Sequence, residues 1–148
     1  MLSEATVRIT RGVCRHLRAH GLAVLPEMVL ANHRRADVVG VDARGAITLV
    51  EVKSGHPDFA ADRKWTDYLT YTDRFFFAVD EAFDRGRLPD AVGILIADGF
   101  DAEVVREPEP TPPLTAARRK AMLITFARQA ALRLQSQVDP EASLNWPG

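Results

Sequence analysis

The segment 35–53, RADVVGVDARGAITLVEVK, constrains the fold of this chain more than any other. Runs of valine, isoleucine and leucine stand on either side of Asp42-Ala43-Arg44-Gly45. Such runs form strands, and a glycine supplies the positive φ that a three-residue hairpin loop needs. The spacing predicts strands over about 35–42 and 46–53, closed by a turn centred on Arg44. Antiparallel partners then have numbers summing to 88, which sets Asp37 across from Glu51. Two carboxylates facing each other on a ladder repel, so fold stability alone gives no reason for the pair. A divalent cation turns that liability into a site. Glu51 and Lys53 are one alternation apart and project from the same strand face, which adds a positive charge. If the acids only repel, removing Asp37 without metal should be neutral or slightly stabilising.

The rest of the chain supplies the setting. Ser3 can cap a helix running to about His20, with Gly21 as its terminator. Val7, Val13, Cys14 and Leu17 fall on one side of it at helical spacing, so this helix covers a sheet. Residues 22–31 read as a first strand, and Pro26 gives it an edge position or a bend. The hairpin is apolar on both faces, with Val38, Val50 and Val52 on one and Val39, Val41 and Leu49 on the other. That pattern implies cover on both sides. Pro57 opens a helix expected over about 58–71. Phe75-Phe76-Phe77 marks a buried strand over 74–79, and 91–97 and 102–106 read as further strands. Prolines at 108, 110, 112 and 113 make an extended connector over about 106–114. Thr115 then caps a helix over about 115–134. This order predicts an α/β fold, a mixed central sheet flanked by helices, with the Phe75 strand returning parallel to the Glu51 strand. A single domain is expected over 1–135, its core about 1–106, with 136–148 as a loosely ordered tail.

Asp37 followed by Glu51-Val52-Lys53 resembles the active-site pattern of the PD-(D/E)XK nuclease superfamily, whose restriction-endonuclease-like core uses this α/β order. Ala36 stands where that pattern normally has proline. The longer run EVKSGHPDFAADRKWTDYLTYTDRFFFAVD is similar to the MmcB-like DNA-repair family of the same superfamily, over roughly residues 1–135. The resemblance implies a metal-dependent deoxyribonuclease acting in DNA repair, or a silent DNA-binding repair factor that keeps the fold without turnover. It implies Mg2+, with Mn2+ as a substitute, held by Asp37, Glu51 and the Val52 carbonyl. Lys53 would position the attacking water or steady the phosphate. An acid on the first helix often reaches the metal in that superfamily, which makes Glu4 a candidate, although a helix dipole also favours an acid there. Glu27 is its rival for a third acid and is placed second, because Pro26 suggests a bend or an exposed edge.

Composition limits how DNA could be held. The 148 residues are 47% hydrophobic and 26% charged, as in an ordinary globular domain, with a net charge of −1. Global attraction to a polyanion is excluded, so DNA contact needs a local basic patch. Candidates are Arg35, Arg63, Lys64, Arg118 and Arg119. The run Asp62-Arg63-Lys64-Trp65 with Tyr68 resembles a feature of the MmcB-like family. Lys64, Tyr68 and Tyr71 are expected to share a helix face, the aromatics packing on the sheet or offering a protein-interaction surface. Arg118 and Arg119 open the last helix, where the dipole disfavours cations, so a DNA-facing role would explain them. His16 and His20 are one helical turn apart but lack a third ligand, and His33 and His56 flank the hairpin and loop. Cys14 alone excludes an intrachain disulfide and a cysteine-rich zinc site. With no apolar leader or bilayer-length stretch, the expected setting is the cytoplasm, with DNA and other repair proteins as partners.

Overall fold

A computed structural model describes residues 2–55 and 64–143. Six strands form one mixed sheet in the order β1 to β6: Ala23–Val29, Arg35–Val41, Ile47–Val52, Arg74–Val79, Gly93–Ala97 and Ala102–Arg106. The pairs β1–β2, β2–β3 and β5–β6 are antiparallel, whereas β3–β4 and β4–β5 are parallel. The parallel return of β4 beside β3 matches the crossover expected from the sequence. Among the described residues two α-helices flank the sheet, α1 over Glu4–Ala19 and α2 over Ala116–Val138.

Each face of the sheet is covered. On one, Ile9, Val13 and Leu17 of α1 pack against Val38, Val50, Phe76, Ala78 and Leu95. On the other, Met122 of α2 and the tyrosines Tyr68 and Tyr71 pack against Val39, Ile47, Leu49, Phe75, Phe77 and Ile94. Full burial of one such side chain contributes about 1.5–3 kcal/mol, so this layering carries most of the drive to fold. Ser3 caps α1, its side chain accepting from the Thr6 N–H, and Gly21 follows with φ +85°. A Cβ on Gly12 would lie 2.1 Å from the Asp98 carbonyl oxygen, so the helix reaches the β5–β6 turn only because that side chain is absent.

Four expectations are corrected. Val7 is 52% exposed and Ile9 takes the inward place assigned to it, since the buried stripe runs through Ile9, Val13 and Leu17. The segment after the motif is a 3-10 helix over Lys64–Tyr71 rather than an α-helix, as far as the described residues go. With three residues per turn, Trp65, Tyr68 and Tyr71 share the inward face, and Lys64 falls on the outer side. The last helix continues past Leu134 to Val138, and a 3-10 turn spans Pro140–Ser143, so ordered chain extends into the region expected as a loose tail. The first strand is shorter than 22–31, and it is an edge strand, as Pro26 suggested.

α2 also closes the outer edge of β1. Gln129 accepts from the Val29 N–H at 3.0 Å and donates to the Val29 carbonyl at 2.7 Å, replacing a neighbouring strand. Arg133 donates to the carbonyls of Pro26 and Glu27, the latter at 2.6 Å. At the opposite end of the sheet, Asp73 gathers four segments. Its carboxylate accepts from the Ile47 and Leu114 N–H groups and takes both guanidinium nitrogens of Arg119 at 2.6 and 2.8 Å.

Candidate active site

The site begins in the hairpin turn. Asp42 Oδ1 accepts from the N–H groups of Arg44 and Ala46, and Gly45 adopts φ +83°. This fixes the register, and Val41↔Ile47, Gly40↔Thr48, Val39↔Leu49 and Val38↔Val50 all sum to 88. At the next position the side chains take over from the backbone ladder. The Asp37 N–H donates to Glu51 Oε1 at 2.9 Å, and the Val52 N–H donates to Asp37 Oδ2 at 2.8 Å. Each carboxyl is therefore clasped to the other residue's strand.

Register continues into β1, where partners sum to 64. Pro26 pairs with Val38 and Met28 with Ala36, so Glu27 lies across from Asp37. Glu27 has φ +52°, sparsely populated for a residue with a side chain, and Arg133 grips its carbonyl. Glu27, Asp37 and Glu51 thus sit in line, one on each of three adjacent strands. Leu25 and Met28, and likewise Ala36 and Val39, pack into the same cluster although the step between them is three, an odd number. Alternation breaks at this line of acids.

Burial decides the charge state. It is the largest cause raising Glu51 to about 9, and the Asp37 charge pushes the same way, partly offset by the Asp37 N–H and the Lys53 ammonium. Burial also raises Asp37, opposed by the Val52 N–H, the Glu51 carboxyl and Lys53, while the Glu27 charge adds to the rise. Both carboxyls are thus pushed toward the protonated form, and the pair holds a proton between them above the usual carboxylate range. Lys53 is half-buried, its N–H on the Ala78 carbonyl at 2.9 Å and its Nζ 5.8 Å from the centre of the Phe77 ring. Phe77 is in register with Glu51, so one apolar floor carries both acid and ammonium.

The other candidates separate clearly. Glu4 is exposed in the first turn of α1 and is not among the charges acting on Asp37 or Glu51, whereas Glu27 acts on Asp37. The order of these two is reversed from the sequence expectation. α1 does meet the site, through a Thr6 Oγ1 to Ser54 Oγ hydrogen bond of 2.8 Å just beyond Lys53. Arg35 is exposed beside Asp37, its carbonyl accepting from the Tyr68 hydroxyl at 3.4 Å. Lys64 is exposed at the start of the 3-10 helix. Arg63 and His56 lie outside the described residues.

Arg119 is committed to Asp73 and the Gly45 carbonyl, at the turn end of the hairpin. That end is about 13 Å from the acids along β3, at about 3.3 Å per residue from Ile47 to Glu51. Arg118 lies over the Tyr71 ring at 4.7 Å. The helix-opening cations thus have partners within the chain, an internal acid and an aromatic face. His16 and His20 stack on each other at 4.2 Å, and His16 Nδ1 is 3.9 Å from Asp101. Among the described residues, no group of three or more His, Cys, Asp or Glu side chains has the geometry to hold a metal ion.

Fold and site together define a small α/β protein whose mixed six-stranded sheet carries a half-buried acid pair beside a lysine. The family model described as "DNA repair protein MmcB-like" matches residues 1–141, and the chain belongs to this MmcB-like family. A solved structure, a protein of unknown function from Silicibacter pomeroyi, is similar at 46% identity and a TM-score of 0.88 over 95% of this chain and 96% of that one. No curated protein matches the chain. No helix among the described residues is long and apolar enough to cross a membrane.

Proposed function

We propose that this chain is a metal-dependent deoxyribonuclease of the PD-(D/E)XK type acting in DNA repair, with Asp37, Glu51 and Lys53 as its catalytic set. The observation that carries the reading is the clasped pair. Two half-buried carboxyls face each other and each is fixed by a backbone N–H, with a lysine just past the end of the Glu51 strand. The donor set fits Mg2+, a hard cation that takes oxygen ligands, keeps several waters and needs only one or two carboxylates. Asp37, Glu51 and the Val52 carbonyl would hold it. When bound, the ion supplies a lowered water pKa and charge neutralisation at the phosphate.

The remaining work falls to the chain itself. The Val52 and Asp37 N–H groups each hold one carboxylate oxygen, which leaves one oxygen of each carboxyl to serve as a ligand. Lys53 places a fixed positive charge beside that position, where it can orient a water and stabilise charge developing on the phosphate. Arg35 and Lys64 are exposed on elements that border the site and would contact flanking phosphates. Glu27 is better placed than Glu4 to supply a third carboxylate.

One observation favours a second reading. A carboxyl pair sharing a proton is electrically satisfied without an ion, so the same arrangement suits a silent DNA-binding repair factor. The test is to incubate purified protein with branched, nicked, single-stranded and duplex DNAs, in magnesium, manganese or EDTA. The nuclease reading expects metal-dependent cleavage that disappears in Asp37→Asn. Affinity that is indifferent to metal, with no cleavage on any substrate, would assign the binding role instead.

A further inference from the structure

The exposed face of α1 carries Arg8, Arg11, Arg15 and Arg18, at steps of three, four and three residues. At about 100° per residue these four fall within an arc of about 80°, opposite the buried Ile9, Val13 and Leu17. Like charges at such steps destabilise a helix, so local stability gives no reason for the stripe. Elsewhere six arginines are committed to partners within the chain. Arg34 pairs with Asp67, Arg74 with Glu107, Arg87 with Asp84 and Arg119 with Asp73, and Arg106 and Arg133 bond backbone carbonyls. None of those ion pairs among the described residues takes an arginine of α1.

We infer that this stripe is the track for a DNA backbone leading to the acid pair, an inference that builds on the DNA-directed reading above. Its length fits. Arg8 to Arg18 spans about 15 Å along the helix, close to the axial rise of four nucleotides of one duplex strand at about 3.4 Å each. Its position fits as well, because Thr6, two residues before Arg8, is bonded to Ser54 beside Lys53. The track therefore starts at the catalytic end of the sheet and runs away from it. It is also one-sided. Arg8 borders a cavity of about 600 Å³ whose lining includes Asp80, Glu81, Asp98, Asp101 and Glu103. That acidic wall repels phosphate and confines the strand to the side of Arg11, Arg15 and Arg18. With a net charge of −1 over the chain, a local stripe of this kind is what attraction to DNA requires. The apolar side of α1 is already buried on the sheet, so the helix has no face left to insert into a lipid surface.

The test is duplex binding by fluorescence anisotropy over a range of salt, in EDTA so that cleavage does not intervene. The full-length chain is compared with R11A/R15A/R18A and with R11K/R15K/R18K. Losing three phosphate contacts should lower the slope of log affinity against log salt by about 3 and weaken binding about tenfold or more at low salt. The lysine variant should keep the slope, and circular dichroism and melting temperature should show all three proteins folded. Unchanged affinity and slope in the alanine variant would overturn the track. So would a wild type that shows no duplex affinity, or one captured only by anionic vesicles. A manganese titration of the alanine variant, expected to match wild type, reads the acid pair separately and keeps failure of the two ideas distinct.

Discussion

Glu51 stands out at the scale of single residues. Its pKa, raised from 4.5 to about 9, means the folded protein holds a proton that the unfolded chain releases between those values. The stability this contributes is complete below about 4.5 and is lost as pH rises toward 9, because the native state then binds more protons than the unfolded one. In EDTA, the melting temperature of wild type should therefore fall from pH 5 to pH 9, and Glu51→Gln should flatten that slope. Saturating manganese should reverse the trend, since a ligand carboxylate must give up its proton. Calorimetry in buffers of different ionisation enthalpy should show protons released as manganese binds, and Asp37→Asn should lose at least about tenfold in affinity, the scale of one lost contact to a charged group. Asp37→Ala is not the neutral change that simple repulsion predicts. It strips the Val52 N–H of its acceptor and should cost about 1–3 kcal/mol. Lys53→Ala should keep manganese binding, because no ligand is lost, while cleavage slows by roughly a hundredfold. Cleavage at the wild-type rate by that variant would remove Lys53 from the mechanism.

Legibility divided sharply at the scale of elements. The hairpin could be read to the residue, because its side-chain period is 2 and a glycine in the turn leaves one register open. Asp37 and Glu51 followed from arithmetic alone. Glu27 did not, because a glutamate beside a proline carries no mark of the left-handed backbone it adopts, where Arg133 of α2 holds its carbonyl. Arg133 lies 106 residues away from Glu27, and nothing local to either residue predicts their contact. The 3-10 helix was hidden for another reason. Trp65, Tyr68 and Tyr71 satisfy a three-residue period, but their neighbours also satisfy a longer one, and only packing on Phe75 and Phe77 selects between them. If α2 fixes the line of acids through that arginine, Arg133→Ala should weaken manganese binding severalfold without removing a carboxylate. Arg133→Lys, which can still donate to one carbonyl, should recover part of it. Wild-type manganese affinity in Arg133→Ala would show that β1 holds Glu27 unaided.

Across the whole molecule, Asp73 joins the hairpin turn, the connector and α2. Its side chain is only 14% exposed, and the Arg119 hydrogen bonds hold its pKa near 2, below the usual 3.8. That depression is worth about 2 kcal/mol, present above about pH 4 and lost as pH falls toward 2. Asp73→Asn should lower the melting temperature at neutral pH and blunt the acid-induced loss of stability seen in wild type. An unchanged acid limb would move the source of acid sensitivity elsewhere. Nothing in the sequence singled out this residue, because its partners come from three other segments that only the folded chain brings together. The clasp of Gln129 and Arg133 on β1 has a consequence of another kind. An open sheet edge is a template on which a second chain can add a strand, and here that template is already occupied by side chains of the same molecule. Strand exchange or fibre growth from β1 must first peel α2 away. Heat or denaturant that loosens the C-terminal helix should therefore turn a well-behaved protein into an aggregating one before the sheet itself gives way.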